Sequence, residues 1–138
     1  MIRDLLIPAL ETKFPDRGLR TGTPPDAIAV FLAAHSEVGD VMIYDDGHQA
    51  TVGIGTITHG HFSPYDATLT NDEIAARVTE VVITFLTDLF ANRVLLWKLP
   101  EGGSGGWRIL AHDHQYSLMK SDDLTFLWSG PVDNPDAG

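Results

Sequence analysis

Residues 70–90 read TNDEIAARVTEVVITFLTDLF, and here the start, the period and the length of a segment all agree on one structure. Thr70-Asn71-Asp72-Glu73 has the form of a capping box. The Thr70 hydroxyl is placed to accept an early backbone N–H, and Glu73 to reach back to the cap. Both acids also lie at the positive end of the helix dipole. Ile74, Val78, Val81, Val82, Phe85, Leu86, Leu89 and Phe90 then recur at three- and four-residue steps, with Arg77, Glu80, Thr84 and Asp88 turned elsewhere. That spacing predicts a long helix over about 70–90 with one broad apolar stripe. Such a stripe needs a sheet to lie on.

Strand signals flank the helix on both sides. From Val41 to Thr58 two extended runs surround Asp45-Asp46-Gly47-His48, and a two-residue turn at Asp46-Gly47 is the strongest short hairpin signal in the chain. This turn would pair Ile43 with Ala50 and Val41 with Val52, apolar against apolar, with Ile54 continuing that face. The other face would carry Met42, Tyr44, Thr51, Gly53, Gly55 and Ile57, then His59 and His61 if the strand runs on. After the helix, Val94 to Leu99 is apolar on both sides and reads as an interior strand. Pro100 to Gly106 reads as a glycine-rich connection, Trp107–Tyr116 and Leu124–Trp128 as further strands, and Lys120-Ser121-Asp122-Asp123 as a turn.

At the N-terminus, Leu5, Leu6, Ala9, Leu10 and Phe14 predict a first helix, against the objection of Pro8. Between Thr23 and Ala34 a capped helix and a strand fit the local pattern equally. The order of elements predicts an α+β domain over residues 1–130: a single antiparallel sheet of about five strands, with the long helix and the N-terminal helix packed on one face. Residues 131–138, rich in Gly, Pro, Asn and Asp, read as a flexible C-terminal tail.

The totals narrow the function. A chain of 138 residues can bury roughly 68–70% of its unfolded surface without staples. It has no cysteine, which excludes disulfides, thiol catalysis and cysteine-ligated zinc and is compatible with a reducing cytoplasm. No apolar run reaches the ~18 residues that span a bilayer, and the first residues make a poor secretory signal. Nineteen acids against nine bases give a net charge of -10, which repels nucleic acid and anionic lipid. The charge suits solubility, or an acidic face that meets a basic protein partner.

Two histidine pairs stand out: His59-Gly60-His61 and His112-Asp113-His114. A gap of one residue on a strand points both imidazoles to one face. Two such strands side by side would gather four nitrogens around a divalent transition metal, with Asp113 or Asp66 as an oxygen ligand or base. Separate exposed pairs fit the same sequence. Gly102-Gly103-Ser104-Gly105-Gly106 matches a nucleophile elbow by letter, but a strand rather than a helix should follow it. Asp45-Asp46 and Asp122-Asp123 fall at turns, where aspartate serves the backbone. Trp97, Trp107 and Trp128 read as core or rim residues, since no basic groove accompanies them.

Gly39-Asp40-Val41-Met42-Ile43-Tyr44-Asp45-Asp46-Gly47, followed by Thr58-His59-Gly60-His61-Phe62, resembles a family of small bacterial proteins of unknown function. The resemblance runs from Val38 to Trp107. It implies a bacterial, cytoplasmic setting, no particular reaction, and extended structure at Ile28–Leu32. The expectation is therefore a non-enzymatic, acidic protein-interaction module without a cofactor, immunity-like by analogy of size and charge. The alternatives are a metal-binding protein or metal-dependent hydrolase using His59, His61, His112 and His114, and a self-associating protein pairing through an open sheet edge.

Overall fold

The computed structural model describes residues 2–64, 66–111 and 119–136. Helix α1 (Ile2–Lys13) leads into five strands, β1 (Arg20–Thr21), β2 (Ala29–Phe31), β3 (Val41–Asp45), β4 (Ala50–Ile54) and β5 (Thr58–Phe62). Helix α2 (Asn71–Phe90) follows, then β6 (Val94–Lys98), β7 (Ser104–Ile109), β8 (Leu124–Leu127) and β9 (Gly130–Val132). The fold is α+β, with a five-stranded antiparallel sheet, an N-terminal helix and the long helix where the periodicity places it.

Helix α2 begins as its cap dictates. Glu73 N–H donates to the Thr70 hydroxyl at 3.2 Å, and Thr70 N–H to Glu73 Oε1 at 3.0 Å. It ends on a Schellman motif in which Arg93 N–H donates to the Asp88 carbonyl and Asn92 N–H to that of Leu89, with Asn92 at φ 60° in the left-handed position. Ile74, Val78, Val82, Phe85, Leu86, Leu89 and Phe90 are buried as the spacing predicts, but Val81 is 46% exposed. The apolar stripe is thus narrower than expected.

Helix α1 buries Ile2, Leu6 and Leu10 at four-residue intervals and packs beside α2. Pro8 lies on its exposed side, and the carbonyl four residues back, that of Asp4, is at an exposed position, so the proline is accommodated where water reaches the backbone. Phe14, Phe31 and Phe90 meet edge to face, with centroids 5.1 to 5.9 Å apart, and tie α1, β2 and the end of α2 into one core.

In the segment left open between helix and strand, Ala29–Phe31 form a strand, and the residues on either side are turns and irregular chain. β2 pairs with both β1 and β3, and Ile28 N–H extends the ladder by donating to the Ile43 carbonyl at 2.8 Å. The hairpin β3–β4 forms, with its register shifted by two residues: Ile43 faces Val52 and Val41 faces Ile54. The turn is Gly47-His48, closed by Asp46 N–H on the Gln49 carbonyl at 3.0 Å. Gly47 takes φ 91°, and glycine with positive φ at the first central position suits a type II′ turn better than aspartate does. A shift of two leaves every side chain on its expected face.

Strands read as members of a single sheet divide between two. The first has the order β1-β2-β3-β4-β5 and the second β7-β6-β8-β9. They meet where Gly105 N–H donates to the Ile57 carbonyl at 2.9 Å and where Phe62 of β5 stacks on Trp107 of β7. The glycine-rich connection is shorter than expected because β7 starts at Ser104. A Cβ on Gly105 or Gly106 would fall within 3 Å of Trp97, and their bareness lets β7 cross that ring. Pro131 and Val132, at the start of the stretch read as a tail, belong to β9, which pairs with β8; Asn134 Nδ2 donates to the Lys120 and Asp123 carbonyls. Residues 112–118, where the sequence suggests continued strand, lie outside the described residues. Among those described, no helix is long and apolar enough to cross a membrane.

Candidate functional site: the open face of β3, β4 and β5

The two helices cover the inner face of the first sheet. On the outer face of the second, Met119 packs on Leu95 and Trp97, with Leu127 and Val132 beside them. Among the described residues, the outer face of β3–β5 carries no such layer. Cross-strand pairing sets two rows across it, Met42–Gly53–His59 and Tyr44–Thr51–His61. The histidines reach this face by a different route from the one the sequence suggests. The strand does not run on: Gly55 takes φ 52°, the chain turns over residues 55–57, and β5 returns antiparallel to β4. Ile57, expected on the outer face, is therefore buried.

Two glycines make that reversal possible. A Cβ on Gly55 would stand 2.2 Å from the Val38 carbonyl oxygen, and one on Gly39, at φ 91°, would stand 2.6 Å from Gly55 Cα. The two backbones cross in contact, which only glycine at both positions allows. Gly55 N–H then donates to the Asp40 carbonyl at 2.9 Å.

Gly53 is bare for a different reason. A Cβ there would meet nothing nearer than 3.8 Å, so its absence leaves a shallow depression of about 330 Å³ bordered by Met42, Tyr44, Thr51, His59 and Ser104. Met42 is 38% exposed. Ser104, the serine of the elbow-like glycine run, opens β7 and sits on this rim; a strand follows it, as the sequence requires, and not the helix of an elbow.

His61 is the anchored member of its pair. The Thr51 hydroxyl donates to Asp46 Oδ2, and its oxygen lies 2.9 Å from His61 Nδ1. A hydroxyl has one proton. With that proton on Asp46, the imidazole Nδ1–H must donate to Thr51, which leaves the lone pair on Nε2. Gln49 Nε2, 3.3 Å from the same nitrogen, is matched to this tautomer when the amide turns its oxygen inward. His59 stands across from His61 with ring centroids 5.0 Å apart and planes at 77°.

The other sequence candidates resolve as structure. Asp45 accepts Gly47 N–H at 2.9 Å and Arg3 N–H at 3.1 Å, and buried Asp123 accepts Lys120 N–H at 2.8 Å, so these aspartates serve turns. Asp66 accepts both the hydroxyl and the N–H of Thr68, and those two bonds, hydroxyl first, hold its carboxyl below the usual aspartate range. Trp107 lies among Phe62 and Phe85, and Trp128 against Phe90. His112, Asp113 and His114 lie outside the described residues. Among the described residues, no group of three or more His, Asp or Glu is arranged to hold a metal ion. The Asp46–Thr51–His61 chain escaped the sequence reading because a register two residues out sets Thr51 against the wrong neighbours.

Compared with known proteins, the chain matches no family model, no curated protein and no solved structure.

Proposed function

We propose that this chain is a non-enzymatic, acidic protein-interaction module of bacterial origin, working in the cytoplasm and docking a basic partner in the manner of an immunity protein. The observation that carries it is the outer face of β3–β5, which no described residue covers and where Met42, Tyr44 and His59 surround the bare Gly53. An exposed methionine and a half-buried tyrosine beside a depression are what interface centres use. Asp46 at the rim and the net charge of -10 supply the field that draws a basic surface. The test is a photo-crosslinking residue in place of Met42, with a control at Glu11 on the exposed side of α1, introduced into the source cells. A discrete stoichiometric adduct from position 42 alone supports the proposal. No adduct from position 42, or the same products from both positions, refutes it.

The spacing of the two imidazoles favours a second reading, a divalent transition metal held by His59 and His61 for binding or for hydrolysis. Zinc–nitrogen bonds of ~2.0–2.1 Å put each ring centre about 3.2 Å from the ion, and at a tetrahedral angle the two centres stand about 5.2 Å apart. The observed 5.0 Å is close to that value. The Thr51–Asp46 chain is the kind of outer support that orients a histidine ligand. Less than about a tenth of an equivalent of zinc, nickel or copper taken up by protein made without a histidine tag ends this alternative.

A further inference from the structure

A second surface lies on the helix side of the molecule, where the two sheets part. Among the described residues, Gly105 N–H to the Ile57 carbonyl is the one backbone hydrogen bond between β5 and β7. Beyond it the strands meet through side chains, with Phe62 and Gly60 against the Trp107 ring, and α2 lies alongside. The result is an apolar groove of about 300 Å³. Phe85 and Trp107 form its floor, edge to face at 4.7 Å, and Phe62 stacks on Trp107 at 6.1 Å. Its walls are Ile109 and Val81, the one stripe position of α2 that the core leaves 46% exposed. Its charged lining is Glu80 and Asp88, both acidic, with Asp88 already paired to Arg93 at 2.9 Å, so that Glu80 carries the groove's unbalanced charge.

One wall of this groove is a strand edge. β7 pairs with β6 on one side and, among the described residues, ends its sheet on the other. Antiparallel pairing turns alternate residues toward opposite neighbours. Leu110 N–H donates to Arg93 on the β6 side, and Gly105 N–H to Ile57 on the far side. The alternation therefore aims the backbone N–H and C=O of Trp107 and Ile109 away from β6, along the groove.

We infer that this groove takes an extended segment of a partner protein, apolar at alternate positions and basic between them, added as a strand on the edge of β7. An extended segment satisfies the edge it covers while dropping every second side chain onto Phe85, Trp107 and Val81. A helix has no free backbone groups to offer and would bury the Trp107 and Ile109 groups without partners. A second copy of this chain would set acid against acid. This surface is separate from the histidine-bearing face, and it stands or falls independently of the function proposed above.

The test uses the whole chain and the octapeptide acetyl-(Lys-Val)4-amide as probe. Titration calorimetry at physiological salt should give a Kd of about 10–100 µM. Hydrogen exchange at the Trp107 and Ile109 amides should slow by about tenfold or more when the peptide is bound. Val81→Glu, whose fold is checked by circular dichroism, should weaken binding at least about fivefold although it adds negative charge, which separates the groove from general attraction to an acidic protein. Leu32→Ser, at an exposed position just after β2, should leave binding unchanged. Any of four results overturns the inference: no binding below about 1 mM, no added protection at the two amides, undiminished binding by Val81→Glu, or tighter binding of a Leu/Lys amphipathic helix of equal charge. A dimer that protects the same two amides without peptide would assign the groove to a second copy instead.

Discussion

Substituting Gly55 by alanine should be among the most damaging single-methyl changes in this protein. Two effects add. Gly55 holds φ 52°, a left-handed conformation that costs an alanine roughly 1–2 kcal/mol. The new Cβ would also stand 2.2 Å from the Val38 carbonyl oxygen and 3.1 Å from Gly39 Cα. These are backbone atoms that cannot rotate aside, and forcing atoms into such a packed crossing costs about 1–3 kcal/mol more. A loss near 3 kcal/mol corresponds to a fall in Tm of about 10 °C for a chain of this size. Two other glycines separate the effects. Gly47 shares the positive φ, at 91°, but has nothing within 4 Å, so Gly47→Ala should show the conformational part alone. Gly53 has ordinary backbone and open space, so Gly53→Ala should be neutral or slightly stabilising. Thermal and urea unfolding followed by far-UV circular dichroism would rank the three. If Gly55→Ala proves no worse than Gly47→Ala, the crossing at Gly39 is not tight, and the account of how β5 is turned back fails.

Leu89, wholly buried under α2, should lose about 2–5 kcal/mol on truncation to alanine, whereas Val81→Ala on the same helix should change stability by less than about 0.5 kcal/mol in urea melts. Thr70→Ala removes the hydroxyl half of the capping box and should cost about 1 kcal/mol. The Thr70 N–H, and then its hydroxyl, hold the Glu73 carboxyl below the usual glutamate range. A depressed pKa contributes stability above the unfolded value and loses it as pH falls through the folded one. Wild type should therefore lose this contribution as acid is added below the ordinary glutamate range, and Thr70→Ala should show a shallower acid dependence over the same interval. Thr51→Val should free His61 from its fixed tautomer, seen as a shift of the Nδ1 and Nε2 nitrogen resonances toward a tautomeric mixture, with His59 unaffected.

Much of the fold is legible without coordinates because it rests on local rules. The capping box at Thr70 and Glu73, the three- and four-residue recurrence through Phe90, the doubly apolar run at Val94–Trp97 and the facing of Val41, Ile43, Val52 and Ile54 all follow from periodicity and side-chain chemistry within a few residues. The histidine pair at 59 and 61 is likewise legible as a pair, since a gap of one on a strand decides their common face.

What escaped depends on partners distant in the chain. Ala29–Phe31 are a strand because β1 and β3 flank them, which the local pattern does not contain and only the family resemblance implied. The turn centred on Gly47-His48, the reversal at Gly55 and the anchoring of His61 by Thr51 and Asp46 each needed the register, and register is settled by the best pairing of whole strands. The division of the strands between two sheets and the close crossing of the Gly39 and Gly55 backbones likewise depend on which whole strands pair. Local chemistry decided which segments are helix or strand and which side of each is apolar. Tertiary packing decided what each apolar side meets, because burial is a property of neighbours that only the folded chain brings together; among the described residues, that packing left the faces around Gly53 and Val81 uncovered.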